Sequence, residues 1–142
     1  MISKTRPNTS TTKDAATVLV DTDVLIWCMR GNDKARRALN RLKTYAVSSV
    51  TVMELIQGAR SRRELKAIKA FLAQPQIVHH VMDVPVTVKA LSFLESFALS
   101  HGMMMADALV AATARCADLC VFTGNAGDYR FIPGLKIRRF TL

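Results

Sequence analysis

Short apolar runs that alternate with helical segments constrain this sequence more than any other feature. The runs are continuously apolar, which is typical of buried strands, and the segments between them carry apolar residues at helical spacing. The predicted strands are residues 17–20, 45–49, 76–81, 119–123 and, at an edge, 135–140. This alternation predicts an α/β fold, with a mainly parallel central sheet of four to five strands flanked by helices on both faces.

The folded part is predicted to be one domain over residues 17–142. Residues 1–16 are polar and rich in threonine and serine, so we expect a flexible N-terminal tail there. No apolar run approaches the ~18 residues of a membrane span, and the N-terminus lacks the apolar stretch of a signal peptide. These patterns predict a protein with no membrane partner.

The cysteines indicate the compartment. Cys28, Cys116 and Cys120 form no C-x-x-C pair and lie in apolar surroundings. We therefore expect reduced cysteines packed in the core of a cytoplasmic protein. Trp27 and the methionines at 103–105 are also expected to pack in the core.

The net charge predicts a polyanionic partner. Twenty Lys and Arg residues face eleven Asp and Glu, which gives a net charge of +9 and a pI near 10.0. Such a surplus attracts nucleic acid or an acidic protein. Eleven of the basic residues fall between Arg30 and Lys69, and only three acids oppose them there. We expect this basic region to line the approach of an RNA backbone, with part of it serving only as a solvated helix surface.

Acidic and amide side chains follow the carboxyl ends of several predicted strands or lie near the start of a predicted helix. They are Asp21, Asp23, Glu54, Asp107, Asn125 and Asp128. Because ligands of parallel sheets gather at that edge, we expect these side chains to meet there. Clustered carboxylates raise one another's pKa unless a cation lies among them, and their oxygens suit Mg²⁺ or Mn²⁺. A divalent ion with a bound water can cut a phosphodiester.

Each acid also has a purely structural interpretation. Asp21 or Asp23 can cap the helix that follows the first strand. Thr51 and Glu54, placed in the first turn of the next helix, fit the spacing of a capping box. Asp107 can complement a helix dipole. Only the conjunction of the acids points to a metal site.

Four segments carry a resemblance to a known family. VLVDTDVLI, SSVTVMELIQG, MMADALVAATA and VFTGNAGDYRFIPGL occur in this order and span residues 18–140. In these segments the chain resembles PIN-domain ribonucleases, most closely the VapC-like toxins of toxin–antitoxin pairs. The matching acids are Asp21, Glu54 and Asp107.

The resemblance implies a Mg²⁺- or Mn²⁺-dependent endoribonuclease. Asp21, Glu54 and Asp107 would hold one or two ions and orient a water for attack on the RNA phosphodiester. Thr123 would hydrogen-bond the metal-binding carboxylates. The implied partners are RNA, a cognate VapB-like antitoxin and a second copy of the chain in a homodimer.

The sequence departs from the family pattern at two places. Asp23 stands where many relatives carry Asn or Ser, and the fourth acidic position is the neutral Asn125. Asp128 is the candidate to supply the missing charge, or the site uses three acids. Asn125 leaves open a non-catalytic PIN module that binds RNA or protein. A haloacid-dehalogenase-like phosphatase is a further alternative, because its D-x-D strand end also fits VLVDTDVL, although Glu54 then has no role.

Overall fold

The computed structural model describes residues 16–142. The tail predicted over residues 1–16 lies outside the described residues except for Ala16, which packs against the core. The strands are β1 (Val18–Val20), β2 (Tyr45–Ser48), β3 (Ile77–His80), β4 (Cys120–Thr123) and β5 (Ile137–Arg139). The helices are α1 (Thr22–Met29), α2 (Asp33–Leu42), α3 (Ser49–Gln57), α4 (Arg62–Leu72), α5 (Val84–His101) and α6 (Met105–Ala117), with a 3₁₀ turn at Ala126–Asp128. None of the helices within residues 16–142 has both the length and the apolarity needed to cross a bilayer.

The strands form one parallel sheet in the order β3-β2-β1-β4-β5. Leu19 of β1 is aligned with Ala46 of β2 on one side and with Val121 of β4 on the other. The predicted α/β architecture is therefore confirmed. Because the chain proceeds outward from β1 in both directions, the carboxyl end of β1 is a switch point where ligands of open α/β sheets bind.

Alternate residues of the central strands face two separate cores. Leu19 and Val121 point toward α5 and α6, whereas Val20 and Phe122 point toward α1, α2, α3 and α4. This alternation follows from the two-residue period of a strand. Burial on both faces explains why the strand segments are apolar without interruption.

Local capping fixes where the helices begin. Asn32 caps α2 by accepting a hydrogen bond from the backbone N–H of Ala35 at 2.9 Å. The start of α3 differs from the prediction, because its cap is Ser48, which accepts from the backbone N–H of Thr51 at 3.1 Å. The predicted Thr51–Glu54 capping box is therefore wrong, and Glu54 lies in the second turn of α3.

Four side chains assigned to the core, those of Trp27, Met104, Met105 and Cys116, are exposed instead. Trp27 is 37% exposed, and Cys116 lies on the outer surface of α6. In the methionine run only Met103 is buried. The physical reason is the same for each: an apolar residue type does not reveal which face of a helix meets the sheet.

Candidate active site

Asp21 lies directly after β1 and is the N-cap residue of α1. Its side chain is only 9% exposed. One carboxylate oxygen accepts from the backbone N–H of Thr22 at 2.9 Å. The other accepts from the hydroxyls of Thr123 at 3.0 Å and Tyr129 at 2.9 Å. Asp21 thus caps a helix and also occupies the centre of a polar cluster at the switch point.

Tyr129 joins the first and third acidic segments. Its ring is fully buried, and its hydroxyl lies 2.9 Å from Asp21 Oδ2 and 3.4 Å from Asp107 Oδ1. Burial, followed by the charges of Asp21 and Asp107, raises the pKa of Tyr129, so its hydroxyl stays protonated and donates. Tyr129 was assigned no role from the sequence, although its place directly after Asp128 in the segment VFTGNAGDYRFIPGL was a signal for it.

The acids from four segments lie within electrostatic reach of one another. Burial raises the pKa of Asp21 more than its three hydrogen bonds lower it, and the charge of Glu54 raises it further. Burial, followed by the charges of Asp128 and Asp21, raises the pKa of Asp107 to about 6. The structure therefore brings together Asp21, Glu54, Asp107 and Asp128.

Glu54 is exposed and is positioned by hydroxyl groups. Thr22 donates to Glu54 Oε1 at 2.6 Å, and the Thr22 hydroxyl also lies 3.0 Å from the buried hydroxyl of Thr51. Because a hydroxyl carries one proton, Thr22 can accept from Thr51 while it donates to Glu54. The threonine between the two aspartates therefore links the second acidic segment to the first.

Asp23 faces away from this group, toward the loop after β4. One of its oxygens accepts from the backbone N–H of Val24 at 2.8 Å. The other accepts from the backbone N–H of Gly124 at 2.9 Å and from the Asn125 amide at 3.1 Å. Burial, followed by the charge of Asp21, raises the pKa of Asp23 to about 6. Asn125 therefore acts as a hydrogen-bond donor to Asp23.

The chemistry of the acids fits a hard cation. Within residues 16–142 no three His, Cys, Asp or Glu side chains are close enough to enclose an ion as they stand. Mg²⁺ does not require such an enclosure, because it keeps several waters and binds through one or two carboxylates. Carboxylates whose pKa values are raised by burial and by one another are also relieved by a cation.

The basic region Arg30 to Lys69 is exposed on and around α2 and α4. Two of its arginines are paired with neighbouring acids, Arg36 with Asp33 and Arg60 with Glu64. Arg30 lines two neighbouring cavities beside α1. Within the region, Arg30 and Arg60 share a cavity with Glu54, so only part of the region lies next to the acids.

Comparison with known proteins gives three related findings. The PIN domain family profile matches residues 18–131. The DNA-bound VapBC structure from Salmonella typhimurium is 23% identical with a TM-score of 0.74, covering 88% of this chain and 98% of that chain. A toxin–antitoxin complex from Klebsiella pneumoniae is 24% identical with a TM-score of 0.71, covering 85% and 95%.

A third structure is named as a toxin that cleaves the sarcin–ricin loop, VapC20 from Mycobacterium tuberculosis. It is 16% identical with a TM-score of 0.58, covering 73% of this chain and 86% of that chain. No curated protein sequence is significantly similar to this chain. The profile match covers most of the chain and includes β1, Glu54, α6 and Tyr129. The chain belongs to the PIN domain family.

Proposed function

We propose that this chain is a metal-dependent endoribonuclease whose catalytic carboxylates are Asp21, Glu54 and Asp107. The observation that carries the proposal is the Tyr129 hydroxyl, which lies between Asp21 and Asp107 within a buried polar cluster. A protein core tolerates such a group of acids poorly unless a ligand uses them. PIN-family membership and the toxin named for sarcin–ricin loop cleavage support RNA as the substrate.

Asp21, Asp107 and Glu54 would hold Mg²⁺ or Mn²⁺, with Asp128 beside them and Asp23 and Asn125 at the flank. When bound, the ion supplies charge stabilisation at the phosphate and a water of lowered pKa. Thr123 and Tyr129 hold the carboxylate of Asp21 in one orientation. Fixing a ligand in this way preserves its geometry without further reorganisation during the reaction.

The partner protein is proposed to be a VapB-like antitoxin. One of the two cavities lined by Arg30 lies between α1, α3 and α4 and has a volume of about 500 Å³. Its walls include the apolar side chains of Met29, Leu55 and Ile68. Glu54 and Arg60 lie at the same cavity. A peptide that fills it would therefore approach the proposed catalytic acids. Homodimerisation remains part of this proposal and rests on the resemblance to VapC-like toxins.

A non-catalytic PIN module is the second candidate. The neutral Asn125 favours it, because Asn125 occupies the fourth acidic position and donates to Asp23. The haloacid-dehalogenase-like alternative is wrong, because the chain belongs to the PIN family.

Cleavage of a mixed tRNA and mRNA pool by the purified, antitoxin-free chain tests the proposal. We expect cutting with Mg²⁺ or Mn²⁺, none with EDTA, and none by the Asp107→Asn variant. A folded chain that cuts no RNA under any of these conditions would favour the binding module. Cutting that persists in both EDTA and the variant would indicate a contaminating nuclease.

A further inference from the structure

A cavity of about 750 Å³ opens beside Asp23, and it shares Ile26 and Arg30 of α1 with the cavity of about 500 Å³. Its walls come from α1, the loop after β4 and the C-terminal residues. The side chains that define it are Asp23, Trp27, Arg30, Asn125, Arg130 and Arg139. Because Asp23 is hydrogen-bonded to the loop that also follows Thr123, this cavity begins next to the proposed catalytic acids.

The cavity is strongly cationic. Three arginines line it, and the only side-chain carboxylate in the lining is that of Asp23. Arg30, Arg130 and Arg139 form no ion pair with an acid of residues 16–142. Guanidinium groups without a carboxylate partner are suited to bind phosphate oxygens through paired hydrogen bonds.

Trp27 gives the cavity an aromatic wall. It is the only tryptophan of the chain, and 37% of it is exposed. It lies one helical turn beyond Asp23, about 6 Å further along the axis of α1. No hydrogen bond from its indole N–H is present within residues 16–142. An exposed indole beside unpaired arginines has the composition of a site that stacks a nucleobase and holds its phosphates.

We propose that this cavity is a nucleotide-binding subsite for single-stranded RNA. Trp27 stacks on a base one or two nucleotides from the scissile phosphate, and Arg30, Arg130 and Arg139 bind the adjacent phosphates. The position relative to the scissile phosphate rests on the proposed function, whereas the binding of RNA does not. An acidic peptide would use the arginines but would leave the indole without a stacking partner, so the composition favours RNA.

The single tryptophan makes the subsite directly observable. In the Asp107→Asn background, which keeps the RNA intact, fluorescence of Trp27 is titrated with hexa-adenylate and with an abasic ribose-phosphate hexamer. We expect hexa-adenylate to quench the emission and the abasic hexamer to bind without quenching. Binding of fluorescein-labelled hexa-adenylate, followed by anisotropy, should weaken about 5- to 150-fold in Trp27→Ala and much less in Trp27→Phe.

The role of the arginines is tested by the salt dependence of hexamer binding in arginine variants. Arg130→Ala and Arg139→Ala should weaken both hexamers and each reduce the slope of log K against log salt by about 0.7. The matched control is Lys89→Ala, a basic residue of α5 that lies outside the region Arg30 to Lys69, lines none of the cavities described and should leave both values unchanged.

Two results would overturn the subsite. The first is that hexa-adenylate does not bind, or that it binds without quenching Trp27 and with the same affinity whether or not Trp27 is replaced by alanine. The second is hexaglutamate that binds and quenches as strongly as hexa-adenylate, which would assign the cavity to an acidic peptide. These outcomes are independent of cleavage: a chain that cuts RNA without quenching loses only the subsite, and one that quenches without cutting loses only the proposed enzyme.

Discussion

Asp21 and Asp23 are separated by one threonine, yet they lie in opposite surroundings. Asp21 is buried among other acids, and hydroxyl groups from β4 and the closing loop hold it. Asp23 is half-buried, is held by N–H donors, and faces a cavity lined by arginines. The difference teaches that the two aspartates of one short motif have different structural roles. We propose that Asp21 binds a cation, whereas Asp23 lies between the acids and the basic cavity.

The largest expected effect separates Asp107 from Asp23. Asp107→Asn removes a carboxylate from the acidic cluster and should lower RNA cleavage by at least about 100-fold. Asp23→Asn is the matched control and should lower it only a few-fold, because Asp23 faces the flank. Initial rates of RNA cleavage with saturating Mg²⁺ measure both. Equal losses of cleavage rate in the two variants would show that Asp23 is as important for cleavage as Asp107.

The second effect concerns the tyrosine that holds Asp21. Tyr129→Phe keeps the buried ring and removes the hydroxyl, so cleavage should fall about 10- to 100-fold. Loss of a hydrogen bond to a charged group should also lower the free energy of unfolding by about 1–3 kcal/mol. Steady-state kinetics and urea unfolding check the two parts. Unchanged activity in a destabilised variant would make Tyr129 a purely structural residue.

A pair of glycines tests how Asp23 is held. A Cβ added at Gly124 would lie 2.7 Å from Asp23 Oδ2, whereas one at Gly127 would meet only the end of the Arg130 side chain at 3.2 Å. Gly124→Ala should therefore lower the free energy of unfolding by about 1–2 kcal/mol by displacing the carboxylate. Gly127→Ala should change it by less than about 0.5 kcal/mol. Chemical denaturation of both variants gives the comparison, and equal values would contradict it.

The smallest effect concerns Asn125. Asn125→Asp replaces a donor to Asp23 with a like charge, so it should lower the free energy of unfolding by about 1 kcal/mol at pH 8. Near pH 5 the loss should shrink, because one of the two carboxylates is then protonated. Cleavage should not rise. A large gain in cleavage would instead show that the site lacks a fourth acid.

The sequence predicted the sheet well, because strand burial depends on the local pattern of apolar residues. Continuous apolar runs identify strands buried on both faces. The meeting of Asp21, Glu54 and Asp107 was predictable for a different reason. Asp21 and Glu54 follow strands whose carboxyl ends share one edge of the parallel sheet, and Asp107 lies in the first turn of α6, the helix that runs back into β4.

The remaining features depend on tertiary contacts. In the sequence Tyr129 counts as one more aromatic residue, and only the folded site shows that its hydroxyl contacts Asp21 and Asp107. The exposure of Trp27 was missed because three segments distant in sequence form the cavity beside it. Arg130 and Arg139 were overlooked since they lie outside the densest basic region. The spacing of Thr51 and Glu54 fits a capping box, but β2 ends at Ser48, and Ser48 is therefore the residue that caps α3.

The central claim is that the acids around Asp21 bind a divalent cation. The pKa values of Asp107 and Asp23 are raised from 3.8 to about 6, so their ionisation costs stability. The stability that their protonated forms contribute is fully present below about pH 4 and is lost as the pH rises through about 6. A cation that binds the ionised acids should restore stability above that range.

The most direct measurement is the thermal melting of the metal-free chain with and without Mn²⁺, from pH 5 to pH 8, beside Asp107→Asn. We expect Mn²⁺ to raise the Tm strongly at pH 8 and little at pH 5, and to have a much smaller effect on the variant at either pH. Without metal at pH 8 the variant should melt higher than the parent. A Tm that does not change with Mn²⁺ at pH 8, or that rises as much in Asp107→Asn as in the parent, would contradict a cation site at Asp21 and Asp107.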